Sequence, residues 1–276
     1  MRVSRLLPTA ARQSVGSFVF FDHFGPLTVN PADSVDVRPH PHIGLATVTY
    51  LFEGAMLHRD SLGNVQQIEP GAINLMSAGS GIVHSERRPL DMKDKHYGLH
   101  GLQLWVALPR EFEESTPTFE HTPEKDLPVL NHAGVQVRVL IGSLFGAQSP
   151  VRTASRTLYA DLRLPAGAEL MLPDEVEELA VYPVDTDIQI DGTSVQRGTL
   201  AVLDSSKMAR VQAAATSRVV VIGGAPLDGP RFIWWNFVSS TKERISRAAE
   251  AWAQQRFEKV PGEIEFTPLP ERRPIF

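Results

Sequence analysis

The chain of 276 residues is 42% hydrophobic and 21% charged, a globular composition with enough material for one or two domains. Its net charge of -5 argues against nucleic-acid binding, and no apolar run approaches the ~20 residues of a membrane span. The N-terminus lacks a signal-peptide pattern, so we expect a cytoplasmic protein. The absence of cysteine excludes disulfides, thiolate ligands and cysteine nucleophiles, so any metal must be held by His, Asp or Glu, which suits iron, manganese, nickel, copper or a catalytic zinc.

Segments with the composition of β-strands dominate the chain. They are rich in Val, Ile, Leu, Thr and Tyr, and Gly, Pro, Asp and Asn separate them at short intervals. Residues 60–64 and 190–193 have the composition of hairpin turns. Strands at this spacing predict a β-sandwich or barrel. The predicted strands span 46–54, 71–79, 99–108, 135–143, 156–164, 178–184, 187–192, 198–205 and 217–224.

One long helix is predicted over 240–260, where no Gly or Pro interrupts the chain and apolar residues recur at helical spacing. Ser240 or Thr241 can cap its start, and Pro261 follows its end.

The two halves of the chain are weakly similar, which indicates a duplicated β-domain. Segments 68–86 and 195–213 both contain a Gly, then an apolar strand and a polar bend. Gly, Ser and Pro concentrate over 142–157. We therefore predict domains at 1–145 and 146–276, the second ending in a helix and tail that pack back.

Histidine distribution distinguishes the two halves most clearly. All nine histidines lie within the first 132 residues. His40 and His42 are two residues apart, and Pro39 and Pro41 favour extended backbone there. Residues i and i+2 of a strand point to one face, so these two imidazoles are expected to converge.

A second pair with the same spacing follows at His84 and Glu86. Three imidazoles and one carboxylate can hold a divalent ion and leave one or two coordination positions open for chemistry. The alternative is a set of buried, hydrogen-bonded polar residues, but burying four such groups without a metal or good partners costs several kcal/mol. The sequence is compatible with two roles for His58 and His23, one beside the site and one in simple packing.

The segment HPHIGLATVTYLFEGAMLHRDSLGNVQQIEPGAINLMSAGSGIVHSE (40–86) resembles the signature of the pirin family, a branch of the cupin superfamily, and the resemblance continues at GLQLWVALP (101–109) and WWNFVSSTKERI (234–245). It implies an all-β fold of two cupin-type double-stranded β-helix barrels, a bicupin, with a C-terminal helix and metal only in the N-terminal barrel. It also implies the metal ligands His40, His42, His84 and Glu86. General cupins place a Glu three or four residues after the His-x-His pair, where this chain has Ala46 and Thr47, and Glu86 supplies the carboxylate as in pirins.

The resemblance implies a quercetin 2,3-dioxygenase type of activity, in which O2 cleaves a flavonol or a related enolic aromatic. Glu86 is the candidate catalytic base, and we expect one divalent metal ion, Fe(II) ahead of Mn, Ni, Cu and Zn. The expected partners are a small planar aromatic substrate and O2, with the protein a monomer that contacts neither nucleic acid nor membrane. The alternative is a non-enzymatic metal or redox sensor that binds a protein partner. A purely structural cupin fits less well, because the ligand set is intact.

Overall fold

The computed structural model describes residues 3–174, 176–204 and 206–272. Besides its strands, this described part of the chain forms three short 3-10 helices and one α-helix, α1 (Lys242–Ala253). None of the helices in these ranges has the length and hydropathy that a membrane crossing requires. The strands are β1 (Val3–Leu7), β2 (Phe18–Val29), β3 (Val37–His42), β4 (Leu45–Glu53), β5 (Met56–Asp60), β6 (Val65–Ile68), β7 (Ile73–Ser77), β8 (Ile82–Arg87), β9 (Tyr97–Ala107), β10 (Thr118–Thr122), β11 (Val129–His132), β12 (Val135–Ile141), β13 (Ser143–Leu144), β14 (Ala147–Gln148), β15 (Thr157–Leu164), β16 (Glu169–Leu172), β17 (Glu178–Pro183), β18 (Ile188–Ile190), β19 (Thr193–Val195), β20 (Ala201–Val202), β21 (Ala209–Gln212), β22 (Ser217–Gly224), β23 (Phe232–Trp234) and β24 (Phe237–Ser239).

The first compact unit comprises Phe21–His121 and the C-terminal stretch from Asp228. One of its sheets has the strand order β2-β9-β4-β7-β10, and the other is β3-β8-β5-β6. Part of its core lies between these sheets, where Phe24 and Leu51 of the first sheet pack with Ile68 of the second. Two sheets that bury their inner faces against each other are the expected result of alternating strands.

The second compact unit comprises Ser4–Phe20 and Thr122–Leu227. It repeats the same arrangement, with one sheet in the order β11-β12-β15-β22-β17-β20 and another in the order β16-β21-β18-β19. Aliphatic side chains from both sheets, such as Leu162, Val181 and Val211, form a buried cluster in its interior.

The C-terminal helix packs within the first unit. Ile245 and Trp252 of α1 are buried against Ile43, the residue after β3, and against Val83 of β8. The β23–β24 hairpin joins this cluster through Phe237.

The loop from β3 to β4 lies very close to this hairpin. Gly44 has φ +67, and a Cβ on it would lie 2.1 Å from Val238 O, so the position requires glycine.

The predicted all-β fold with one C-terminal helix is confirmed. The helix is shorter than the predicted 240–260, because Gln255 takes a left-handed conformation (φ 53) that ends it after Ala253. Thr241 occupies the N-cap position, but its side chain makes no capping hydrogen bond. The predicted domains 1–145 and 146–276 stay a prediction. The compact units instead group 122–145 with the second unit, since β12 pairs with β15, and group the helix with the first.

Candidate metal centre

Three of the four predicted ligands come together on β3 and β8. The two strands are antiparallel neighbours in which His40 lies opposite His84 and His42 lies opposite Ile82. The side chains of opposite residues share one face of a sheet, so the three imidazoles project to the same side. Their candidate ligand atoms all lie within 4.8 Å of one another, and all three residues are buried.

Backbone carbonyls set the tautomers of the two histidines of β3. His40 Nδ1 lies 2.9 Å from Arg38 O, and His42 Nδ1 lies 3.1 Å from Asn236 O. A carbonyl oxygen only accepts, so in each neutral ring the proton is on Nδ1 and the lone pair is on Nε2.

The lone pair of His42 points at the third histidine. His42 Nε2 lies 3.1 Å from His84 Nε2. Two nitrogens bound to one ion at the usual distance of about 2.1 Å, with an angle of 90–109°, are separated by about 3.0–3.4 Å. The observed separation matches that value, so the imidazoles fit a divalent metal ion.

Burial keeps these imidazoles neutral. It lowers the pKa of His40 to about 4, and it lowers the pKa values of His42 and His84 well below their ordinary range. A neutral imidazole is the form that binds metal, so at pH 7 the three rings need lose no proton on binding.

Glu86 lies on β8 two residues after His84 and therefore on the same face of the sheet. It is not in the cluster of ligand atoms within 4.8 Å that the described residues form, although its Cα partner on β5 is His58. Burial raises the pKa of Glu86 to about 7. The carboxyl group is thus poised between its two protonation states near neutral pH.

An aromatic and polar surface of the other sheet faces the histidines. The ring of Trp105 on β9 lies 5.2 Å from the ring of His42, edge to face. Thr47 on β4 lies opposite Trp105, and Thr49 lies opposite Gln103, to which it donates a hydrogen bond of 2.9 Å. Since opposite residues share a face, these polar groups lie on the same side of the sheet as Trp105.

The remaining histidines lie in other environments. His58 is buried and bonds Asp60, whereas His23 and His100 bond each other with their Nε2 atoms 2.7 Å apart. His121 bonds Asn74, His96 bonds Asn30, and His132 stacks on Phe145.

Sequence reasoning missed two groups in the surroundings of the ligands, the carbonyl of Asn236 that bonds His42 and the carboxylate of Asp60 that bonds His58. Asn236 lies 194 residues from His42 in the chain, and no local pattern marks a backbone carbonyl. Asp60 did carry a signal, because it opens the predicted hairpin turn 60–64 two residues after His58, and residues i and i+2 of a strand share a face.

Comparison with known proteins gives two family matches. Residues 1–106 match the family model described as Pirin, and residues 159–258 match the model described as Pirin C-terminal cupin domain.

Individual relatives cover nearly the whole chain. A pirin-like protein of Caulobacter vibrioides is 44% identical over 275 residues, which cover 98% of this chain and 94% of the relative. Human pirin is 32% identical over 255 residues, covering 90% of this chain and 84% of the relative. A crystal structure of quercetin 2,3-dioxygenase from Acinetobacter baumannii is similar to this chain with a TM-score of 0.89 and 35% identity, covering 99% of this chain and 92% of that one.

Proposed function

Because this chain belongs to the pirin family of the cupin superfamily, we propose that it is a metal-dependent dioxygenase that cleaves a flavonol or a related enolic aromatic with O2. The observation that carries this proposal is the convergence of three neutral imidazoles, with the Nε2 atoms of His42 and His84 3.1 Å apart. The similarity to the Acinetobacter baumannii protein supports the reaction class.

The proposed ligands are His40, His42 and His84 with Glu86 as the fourth, and the proposed ion is Fe(II). The three-nitrogen, one-oxygen donor set also suits manganese, nickel, copper and zinc. A bound ion would supply a Lewis acid for the substrate hydroxyl and a redox centre for O2.

We assign Glu86 the role of general base. A base is most effective when its pKa lies near the working pH, and burial raises the pKa of Glu86 to about 7. A carboxylate oxygen of Glu86 would accept the proton of the enolic hydroxyl of the substrate, provided that this oxygen is not engaged as a ligand at that moment.

Trp105, Thr47 and Gln103 are proposed to contact the substrate. The indole of Trp105 offers an apolar surface for a planar ring beside His42, and the hydroxyl and amide groups on the same face can bond substrate oxygens. We further propose that the protein acts as a cytoplasmic monomer.

The test is O2 consumption with quercetin by protein loaded separately with Fe(II), Mn(II), Ni(II), Cu(II) or Zn(II). We expect metal-dependent uptake that His42→Ala abolishes. His96→Ala is the matched control, because this exposed histidine bonds Asn30 and not the ligands. Stoichiometric metal binding without uptake would overturn the dioxygenase proposal and favour the alternative, a metal sensor that binds a protein partner.

A further inference from the structure

Asp60 is fully buried, and its carboxylate acts only as a hydrogen-bond acceptor. Its Oδ1 accepts from the backbone N–H groups of Leu62 and Asn64 at 2.9 and 3.0 Å. Its Oδ2 lies 2.9 Å from Asn64 Nδ2 and 3.0 Å from His58 Nε2. None of these contacts has a part in the proposed reaction.

His58 connects this carboxylate to the metal centre. Its Nδ1 lies 3.4 Å from Nδ1 of His84, which is a long hydrogen bond, and its ring stacks on Phe119 with centroids 4.2 Å apart. The contacts therefore run from Asp60 through His58 to the side of the His84 ring that faces away from His42.

One assignment of protons satisfies every contact from Asp60 to His84, and it leaves His42 Nε2 and His84 Nε2 as two lone pairs 3.1 Å apart, the arrangement that a metal ion bridges. Asp60 only accepts, so His58 carries its proton on Nε2 and presents a lone pair at Nδ1. His84 then donates its Nδ1 proton to that lone pair, which leaves the lone pair of His84 on Nε2, facing His42. This is the tautomer that can bind a metal ion together with His40 and His42.

The His84 tautomer depends on side chains, whereas those of His40 and His42 do not. A backbone carbonyl can only accept, so the contacts with Arg38 O and Asn236 O fix the tautomers of His40 and His42. These acceptors remain whatever side chain stands at positions 38 and 236. A neutral imidazole such as His58 can either donate or accept at Nδ1. A donating Nδ1 of His58 would move the His84 proton to Nε2 and block the ligand position.

We propose that Asp60 and His58 are positioning residues that hold His84 in its Nδ1–H tautomer and thereby set the metal affinity of the site. This inference rests on the metal centre of the proposed function but not on its substrate or reaction. Partners of this kind, which bond the outer nitrogen of a ligating histidine, generally change metal affinity by about 10- to 100-fold.

The sharpest variant is Asp60→Asn. The backbone N–H groups of Leu62 and Asn64 would keep the amide oxygen at the Oδ1 position, where Asn64 Nδ2 also donates at 3.1 Å. The NH2 group would occupy the Oδ2 position, lose the contact with Asn64 Nδ2 there and donate to His58 Nε2. His58 would then donate from Nδ1, and His84 would carry its proton on Nε2. The substitution should thus invert the tautomers of both histidines while it keeps the turn.

A second variant, His58→Phe, removes the acceptor for His84 but retains an aromatic ring against Phe119. Two controls separate positioning from structural damage. Phe119→Leu removes the stacking partner and leaves the hydrogen bonds, and Asn64→Ala removes one donor to Asp60 and leaves its bond to His58.

Two measurements serve as readouts, neither of which uses the enzyme reaction. Long-range 1H–15N spectra of the metal-free protein assign the tautomer of each histidine, and competition with a chromophoric chelator gives the Kd for Zn(II). We expect His84 to be protonated at Nδ1 in the wild type and both controls and at Nε2 in Asp60→Asn. The Kd for Zn(II) should rise about 10- to 100-fold in Asp60→Asn and His58→Phe and stay within about threefold in the controls.

Unchanged His84 tautomer and unchanged Kd in Asp60→Asn would overturn the positioning role and leave the metal centre intact. A wild type that binds no Zn(II) would overturn the metal centre itself. Loss of quercetin turnover in a variant with unchanged tautomer and Kd would contradict the inference as well, because it would give Asp60 a role that does not act through His84.

Discussion

Metal binding at the site should release protons, and the number released should change with pH as the carboxyl group of Glu86 titrates. Because burial raises the pKa of Glu86 to about 7, the protonated fraction is about 0.9, 0.5 and 0.1 at pH 6, 7 and 8. If the carboxylate binds the ion, the protein should release about these numbers of protons per ion. Glu86→Gln should remove this contribution.

The buried histidines should add almost nothing to this release. The pKa of His40 is lowered to about 4, and those of His42 and His84 are also well below their ordinary value, so they are already neutral at pH 6. Three histidines with an ordinary pKa of about 6.5 would instead release about 2.3 protons at pH 6. The proton count therefore separates the two cases.

The assay is titration calorimetry with Zn(II) at pH 6, 7 and 8 in pairs of buffers with different ionisation enthalpies. The difference between wild type and Glu86→Gln isolates the carboxyl group from any proton that metal-bound water releases. A difference of zero at pH 6 would refute the combination of a raised Glu86 pKa with binding of its carboxylate to the ion. A release above two protons at pH 6 in both proteins would refute the neutral histidines.

Two further predictions concern the folded protein itself. In metal-free Glu86→Gln, urea unfolding should show that the free energy of unfolding falls by about 2 kcal/mol per ligand histidine between pH 7 and pH 5. The reason is that the lowered pKa values keep the three rings neutral in the folded protein, while the histidines of the unfolded chain take up protons below pH 6.5. Equal stability at the two pH values would contradict this. Gly44→Ala should lower the melting temperature strongly, since its Cβ would meet Val238 O at 2.1 Å. Gly134 is also at positive φ but has open space around it, so Gly134→Ala should lower stability only by the backbone strain of about 1 kcal/mol. An equal fall in melting temperature in the two variants would show that the close contact at Gly44 does not affect stability.

The strand pattern and the ligand spacing could be predicted because both are local. Enrichment in Val, Ile, Leu and Thr predicted strands such as β9 and β22 with nearly correct bounds, and the i, i+2 spacing of His40 and His42 directly gives a shared face. The short strand β20 was predicted over 198–205, of which residue 205 lies outside the described residues. Over 198–204 the prediction is too long, because the composition of a strand does not reveal how many of its residues find a partner.

The orientation of the ligands could not be predicted, because it depends on contacts between distant segments. The tautomer of His42 follows from the carbonyl of Asn236, which the turn of the β23–β24 hairpin presents. The grouping of segment 122–145 and of α1 into compact units depends likewise on strand pairing and on burial of Trp252, which no local pattern encodes.

The two units show why an architecture alone does not make a metal centre. Both contain a sheet in which four strands pair side by side, β3-β8-β5-β6 in the first and β16-β21-β18-β19 in the second. In the first, inward positions of β3 and β8 carry imidazoles whose lone pairs converge. In the second, inward positions carry Leu170, Leu172 and Val211, which pack with the opposite sheet and leave no ligand atoms there among the residues described. Function thus depends on a few side chains at i, i+2 spacing and on the acceptors that orient them, while the shared sheet order supplies only their positions.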